Sequence, residues 1–169
     1  DLAEREHGIN YAKEQRLAIN TALSKGFMIL TGGPGTGKTT ALEAIISLLE
    51  QQGLRVMICA PTGRAAKRIS DLTGYEAKTI HRLLGVRPGQ NGSMSFEHNE
   101  LNPLECDAVV IDEMSMVDSL LFEALLRALG INCKLIMVGD SDQLPSVGAG
   151  NVLHDLIKSG LMPVISLSE

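Results

Sequence analysis

Apolar residues fall along this chain in two alternating rhythms. Phe27-Met28-Ile29-Leu30, Arg55 to Ala60, Ala108 to Ile111 and Lys134 to Val138 are short, mostly apolar runs, as expected of strands buried on both faces. Between them the spacing changes. Ala41, Leu42, Ile45, Ile46 and Leu49 repeat at i, i+3/i+4, as do Leu120, Leu121, Ala124, Leu125 and Ala128, which puts each set on one face of a helix. Similar patterns open near Ala12 to Leu23, run through Ala65, Ala66 and Ile69, and close over Val152 to Ile157. Pro61 ends the second strand, and Thr62 is a natural N-cap for the helix after it. A shorter helical turn is expected over Thr79 to Leu84. Strands alternating with helices predict an α/β fold, with a parallel sheet covered on both faces. Gly85 to Leu104 breaks the rhythm. It is rich in Gly, Pro, Asn and Ser, carries the hairpin-turn signal Asn91-Gly92, and is the candidate inserted hairpin in a chain without internal repeats.

Composition adds limits. With 169 residues and 44% hydrophobic content, one domain with a sizeable core is expected, and 3% aromatic content leaves its packing to aliphatic side chains. No apolar run approaches the roughly 20 residues that span a bilayer, and no secretory leader pattern opens the sequence. The first residue is Asp1 rather than Met, so the chain is expected to be an excised piece of a longer protein. Cys59, Cys106 and Cys133 form no C-x-x-C pair; small buried thiols in a reducing cytoplasm are the expectation, not disulfides or a zinc site.

Formal net charge is −5, which taken alone argues against a nucleic-acid partner. Its distribution says otherwise. Arg55, Arg64, Lys67, Arg68, Lys78, Arg82 and Arg87 cluster in sequence against only Asp71 and Glu76. Such a stretch is either a phosphate-tracking surface or an ordinary solvated face.

The chemistry begins at residues 31–40, Thr-Gly-Gly-Pro-Gly-Thr-Gly-Lys-Thr-Thr, within which Gly32 to Thr39 spell G-x-x-x-x-G-K-T. An apolar strand precedes it and a helix follows, the context a phosphate-binding loop requires. Glycines let the backbone wrap closely, so that its N–H groups and the helix N-terminus face phosphates. Gly33, Pro34, Gly35, Thr36, Gly37, Lys38, Thr39 and Thr40 are the candidate nucleotide contacts. Lys38 would reach the β- and γ-phosphates, and the Thr39 hydroxyl would ligate magnesium. The plainer alternative is a glycine turn whose lysine is merely solvated.

Ala108-Val109-Val110-Ile111-Asp112-Glu113 is an apolar strand ending in two carboxylates. At the C-terminal end of a parallel strand they would lie where α/β proteins gather ligands. Asp112 would hold magnesium, and Glu113 would orient and deprotonate the attacking water. The alternative is an acid pair capping the next helix. Leu135 to Val138 likewise delivers Gly139-Asp140-Ser141-Asp142-Gln143-Leu144-Pro145. Gln143 both donates and accepts, which suits sensing a γ-phosphate and its water, although a plain polar loop would read the same.

Together these residues resemble the superfamily-one DNA helicases, specifically the RecD-like branch (the exodeoxyribonuclease V alpha-chain type) and its conjugative-relaxase relatives. TGGPGTGKTT looks like motif I, APTGRAAKRI like motif Ia, VVIDEMSM like motif II and VGDSDQLPSVGAG like motif III, so the resemblance covers nearly the whole chain. It implies a RecA-like P-loop NTPase fold, the first of two motor domains, using ATP and Mg2+ on single-stranded DNA and duplex junctions in the bacterial cytoplasm. Gln15 matches the family's adenine-recognising glutamine. Pro61, Thr62, Gly63 and Arg64 become candidate contacts to the DNA backbone, which position a strand without reading sequence. KTIHRLL, with Thr79 and His81, matches a second strand-lining segment. The 85–104 insert falls where RecD-like enzymes carry a hairpin that parts the duplex, with Phe96 as the candidate for stacking. The resemblance further implies 5′-to-3′ movement and, in some relatives, nuclease-helicase partner subunits.

One departure matters. No arginine follows motif III, so no candidate arginine finger is present. The chain alone is expected to bind Mg·nucleotide and barely hydrolyse it. Two other functions stay open on the residues themselves. One is a phosphotransferase acting on a small molecule, and the other is a binding module switched by nucleotide. Single-strand dependence separates the helicase from both.

Overall fold

The computed structural model describes residues 13–33, 37–88, 94–140 and 152–167. Helix α1 (Lys13–Ser24) precedes strand β1 (Phe27–Gly32), helix α2 (Lys38–Gln51), strand β2 (Val56–Ala60) and helix α3 (Gly63–Thr73). Strand β3 (Ala77–Thr79) leads into the short helix α4 (Ile80–Leu84), and β4 (Val86–Pro88) and β5 (Met94–Phe96) follow. The remainder is β6 (Ala108–Ile111), a 3-10 turn at Met114–Met116, α5 (Ser119–Ala128), β7 (Lys134–Gly139), α6 (Val152–Ser159) and β8 (Val164–Leu167).

Six strands form one sheet in the order β3-β2-β6-β7-β1-β8, and every pairing in it is parallel. Alternate residues of each strand face opposite sides. Met28, Leu30, Ile58, Val110, Ile136 and Val138 pack with Ala18, Ile19 and Ala22 of α1 and with Ala41, Leu42, Ile45 and Leu49 of α2. Ile29, Cys59, Val109, Ile111, Leu135 and Met137 pack on the other side with α4, α5 and Leu153 of α6. Both faces are apolar, so the unbroken runs in the sequence are explained. Every strand of the sheet points the same way. The loops after β1, β2, β3, β6 and β7 therefore emerge at a single edge.

Helix starts follow local chemistry. The Thr62 hydroxyl accepts from the Ala65 N–H at 3.1 Å, Thr79 caps α4 through the Arg82 N–H at 3.1 Å, and Asp118 caps α5 through the Leu121 N–H at 2.7 Å. Two strands lie outside the apolar runs singled out in the sequence. Strand β3 reads Ala-Lys-Thr and exists because Ile58 and Ala60 of β2 offer it a ladder. β8 is a four-residue strand laid along Ile29 to Gly32.

The 85–104 insert does contain a hairpin. Strands β4 and β5 pair antiparallel, Val86 opposite Phe96, as a separate two-stranded sheet. Gly85 turns the chain into it with φ +71°, and a Cβ there would strike the Glu97 side chain at 2.9 Å. The turn signal at Asn91-Gly92 lies outside the described residues. Cys59 and Cys133 are buried and Cys106 is half-buried, with the Cys106 and Cys133 sulfurs 3.9 Å apart as thiols. No helix among the described residues is long and apolar enough to cross a membrane.

Candidate nucleotide and strand-binding edge

Strand β1 runs through Gly32 to Gly33, and α2 begins at Lys38 straight after Gly37. Gly37 takes a left-handed backbone (φ +84°, ψ 20°), which a side chain would strain, and it delivers the open N-terminus of α2 to the loop. A Cβ there would also collide with the carboxamide nitrogen of Gln15. The Lys38 Nζ donates to the Gly32 carbonyl at 2.5 Å. Thr39 and Thr40 are half-buried in the first helical turn. Gln15 reaches from α1 to donate through Nε2 to the Gly37 carbonyl at 3.1 Å. Pro34, Gly35 and Thr36 lie outside the described residues.

β6 carries the carboxylates to the same edge. The Asp112 N–H donates to the Cys59 carbonyl at 2.9 Å, extending the ladder by one bond. Burial raises the Asp112 pKa above the usual carboxylate value, against opposing pulls from the Glu113 N–H and from the Lys38 and Arg68 charges. Glu113 then turns sharply. At φ +54° and ψ 44° it has the only positive φ of any non-glycine residue among those described. Such a backbone is costly for a side-chain-bearing residue and is found disproportionately at functional sites. Neither acid caps α5, since Asp118 holds that position. Glu113 stands at the N-cap position of the Met114–Met116 turn, with no side-chain cap bond there. The Arg68 Nη1 lies 3.8 Å from the Glu113 Oε1, an ion pair that the charge count along the chain did not reveal. Arg68 stands one turn beyond Arg64 on α3, and that spacing was the available signal.

Beyond β7, Asp140 is buried, and the segment with Gln143 lies outside the described residues. Pro61 and Thr62 follow β2, and Gly63 and Arg64 are exposed in the first turn of α3. Thr79 ends β3 and caps α4, and half-buried His81 stacks at a tilt on Phe96 of the hairpin, centroids 6.3 Å apart.

The basic stretch does not form one surface. Arg64, Lys67 and Arg68 share a shallow groove on α3 with Asp71 and Leu72. Arg55 lies at the opposite end of β2, its N–H bonded to the Asp107 carboxylate at 2.8 Å, and Arg87 pairs with Glu97 at 3.7 Å. The α3 group reaches the edge that carries Asp112 and Glu113 through Arg68.

A hard, oxygen-loving cation fits this donor set. Among the described residues no three His, Cys, Asp or Glu gather as a metal cage. Magnesium needs none, being held by one or two carboxylates, a hydroxyl and phosphate oxygens. A half-buried carboxylate with a raised pKa gains from such a charge.

A family model described as an AAA domain matches residues 15–149. The chain belongs to this AAA family. Within it, the chain is 41% identical to the ATP-dependent RecD2 DNA helicase of Deinococcus radiodurans over 158 residues, 94% of this chain and 21% of that one. It is 43% identical to the RecBCD enzyme subunit RecD of Mycolicibacterium smegmatis, over 86% of this chain and 30% of the subunit. This AAA chain thus spans under a third of the length of those relatives. Among solved structures, the Pif1 helicase from Candida albicans aligns over 95% of the chain with a TM-score of 0.67 at 26% identity, covering 40% of that protein.

Proposed function

We propose that this chain is the first RecA-like motor domain of an ATP-dependent DNA helicase, part of a longer protein with a second such domain. One observation carries the reading. The phosphate-loop segment after β1, the Asp112-Glu113 pair after β6, and the Pro61–Arg64 and Thr79–His81 segments after β2 and β3 all emerge at one sheet edge. Nucleotide and strand would be held by neighbouring loops of one rigid sheet. Similarity to a chain named as an ATP-dependent RecD2 DNA helicase supports the same reading.

In this reading the open N-terminus of α2 and the loop from Gly33 to Thr40 hold the phosphates, and Gln15 lies against the adenine side. Lys38 neutralises the β- and γ-oxygens. Thr39 and Asp112 hold magnesium, which supplies positive charge to the phosphates when bound. Glu113 orients the attacking water and takes its proton, and Gln143 senses the γ-phosphate. Pro61, Thr62, Gly63, Arg64, Thr79 and His81 line the strand path, and the β4–β5 hairpin meets the duplex junction.

Movement along single-stranded DNA, 5′ to 3′, requires the second domain to close over ATP and grip the strand in alternation. An arginine supplied in trans is worth roughly 10³–10⁵ in rate for related NTPases. The 169-residue chain alone therefore binds Mg·nucleotide and turns it over slowly. We place the protein in the bacterial cytoplasm, in repair and recombination, with nuclease-helicase subunits as candidate partners.

The test is the ATPase rate of the protein continued beyond Glu169, with and without single-stranded DNA across a salt series. Strong stimulation that fades with salt is the expected result. A rate indifferent to DNA would overturn the motor and favour a phosphotransferase or a nucleotide switch.

A further inference from the structure

Two thiols meet at the end of the sheet opposite the proposed nucleotide edge. Cys106 stands just before β6 and Cys133 just before β7, and their sulfurs lie 3.9 Å apart across 27 positions of sequence. Backbone bonds hold both flanks. The Leu104 N–H bonds to the Ala128 carbonyl and the Asp107 N–H to the Arg55 carbonyl, each at 2.8 Å. The Lys134 N–H bonds to the Asp107 carbonyl at 2.9 Å, and the Cys133 N–H to the Gly130 carbonyl at 3.2 Å. The fold itself therefore keeps the two sulfurs side by side. Cys106 is half-buried and Cys133 buried, so an oxidant arriving from solvent meets Cys106 first.

We propose that Cys106 and Cys133 are a peroxide-sensitive dithiol, closing into a reversible disulfide that staples the entry of β6 to the entry of β7. The Cys106 thiolate attacks one oxygen of the peroxide. The O–O bond breaks, hydroxide leaves, and Cys106 becomes a sulfenic acid. The Cys133 sulfur then attacks the Cys106 sulfur. The S–O bond breaks, the Cys133 proton leaves with the hydroxyl as water, and the S–S bond forms. In sum, two thiols give up two electrons and two protons, and one peroxide takes them up as two waters. The inference stands apart from the helicase reading above.

The surroundings suit the two roles. Hydrogen bonding from the Cys133 thiol lowers the Cys106 pKa below the usual thiol value, against burial and the Asp107 charge and with help from Arg55. The thiolate is the nucleophile, so Cys106 is the sulfur that reacts with peroxide. The same bond, together with burial, raises the Cys133 pKa and keeps its proton ready for the departing hydroxyl. A sulfenic acid beside a second thiol condenses to a disulfide. The third thiol differs. Cys59 is buried within β2, burial raises its pKa, and its thiol donates to the Val110 carbonyl at 3.5 Å. The new bond would close a loop holding Asp112, Glu113 and α5, which restricts the unfolded chain far more than the folded one.

The experiment treats the reduced protein, continued beyond Glu169, with a small molar excess of hydrogen peroxide, alkylates the remaining thiols and maps peptides by mass spectrometry. A peptide linking Cys106 to Cys133 is expected, two hydrogens lighter than its parts and lost on adding dithiothreitol, with Cys59 still a thiol. Oxidation should raise the melting temperature of this domain by about 5 °C or more, reversibly. Cys133→Ser should stop at a sulfenic acid on Cys106, trapped by dimedone, and should show no such rise. Cys106→Ser should leave Cys133 reduced. The wild-type map decides the matter without any variant. No linked peptide, a link through Cys59, or sulfinic acid on Cys106 in place of the link would each overturn the proposal. So would a melting rise that persists in Cys133→Ser.

Discussion

The Gln15 side chain donates to the Gly37 carbonyl at 3.1 Å, across 22 positions of sequence. This bond ties α1 to the last glycine of the proposed phosphate loop, at the point where the chain turns left-handed into α2. Gly37→Ala therefore meets two penalties, a strained backbone worth about 1–2 kcal/mol and a collision with the Gln15 carboxamide. We expect Gly37→Ala to lower the melting temperature and weaken nucleotide binding. Adding Gln15→Ala should recover the steric part and not the backbone part. A double-mutant cycle in thermal denaturation measures the split, and strict additivity would deny the contact.

Asp112 predicts a pH signature. Its folded pKa lies above the unfolded value because burial disfavours the charge. Its contribution therefore favours the folded state fully below the unfolded carboxylate pKa, near ~3.9, and is lost as pH rises through the higher folded one. Asp112→Asn removes the half-buried charge. Without magnesium the variant should melt higher than wild type at pH 8, and the two curves should converge towards pH 4. The Mg·nucleotide thermal shift should shrink in the variant. A variant that melts lower than wild type at pH 8 would contradict the burial argument.

In the proposed function, Lys38 and Glu113 separate binding from turnover. Lys38→Ala removes a charge-assisted phosphate contact worth roughly 1.5–3 kcal/mol, so nucleotide affinity should fall by one to two orders of magnitude, about 10–150-fold. Glu113→Gln should keep nucleotide affinity and, in the longer protein, stop turnover. Isothermal titration together with single-turnover hydrolysis checks both. If Glu113→Gln lost affinity while turnover per bound ATP survived, its assignment to water would be wrong.

The hairpin offers a test on another scale. The Glu97 and His98 N–H groups bond back to the Gly85 and Leu84 carbonyls at 2.9 and 3.0 Å, so β4 and β5 form a unit appended to α4. Removing Arg87 to His98 from the longer protein should abolish duplex unwinding and spare strand-stimulated ATPase. A forked-duplex assay run beside the ATPase decides it. Loss of both activities would show that the hairpin supports the fold instead of parting the duplex.

Much of this protein was readable from sequence because the signals are local. Strand and helix rhythm follows from which neighbours are apolar, and the runs at β1, β2, β6 and β7 stay apolar because both sheet faces are covered. A glycine loop between strand and helix, a cap at Thr62 and two acids closing a strand are each written in a few adjacent residues. What only the tertiary structure decided depends on partners far along the chain. Ala-Lys-Thr at β3 carries no strand pattern and is one because β2 lends it a ladder. Arg55 and Arg64 belong to one basic stretch and stand at opposite ends of β2, since a strand carries its two flanks apart. Gln15 on Gly37 and Arg68 on Glu113 follow from strand order. Hydrophobic periodicity records which face is buried, and the parallel ladder alone decides which loops share an edge.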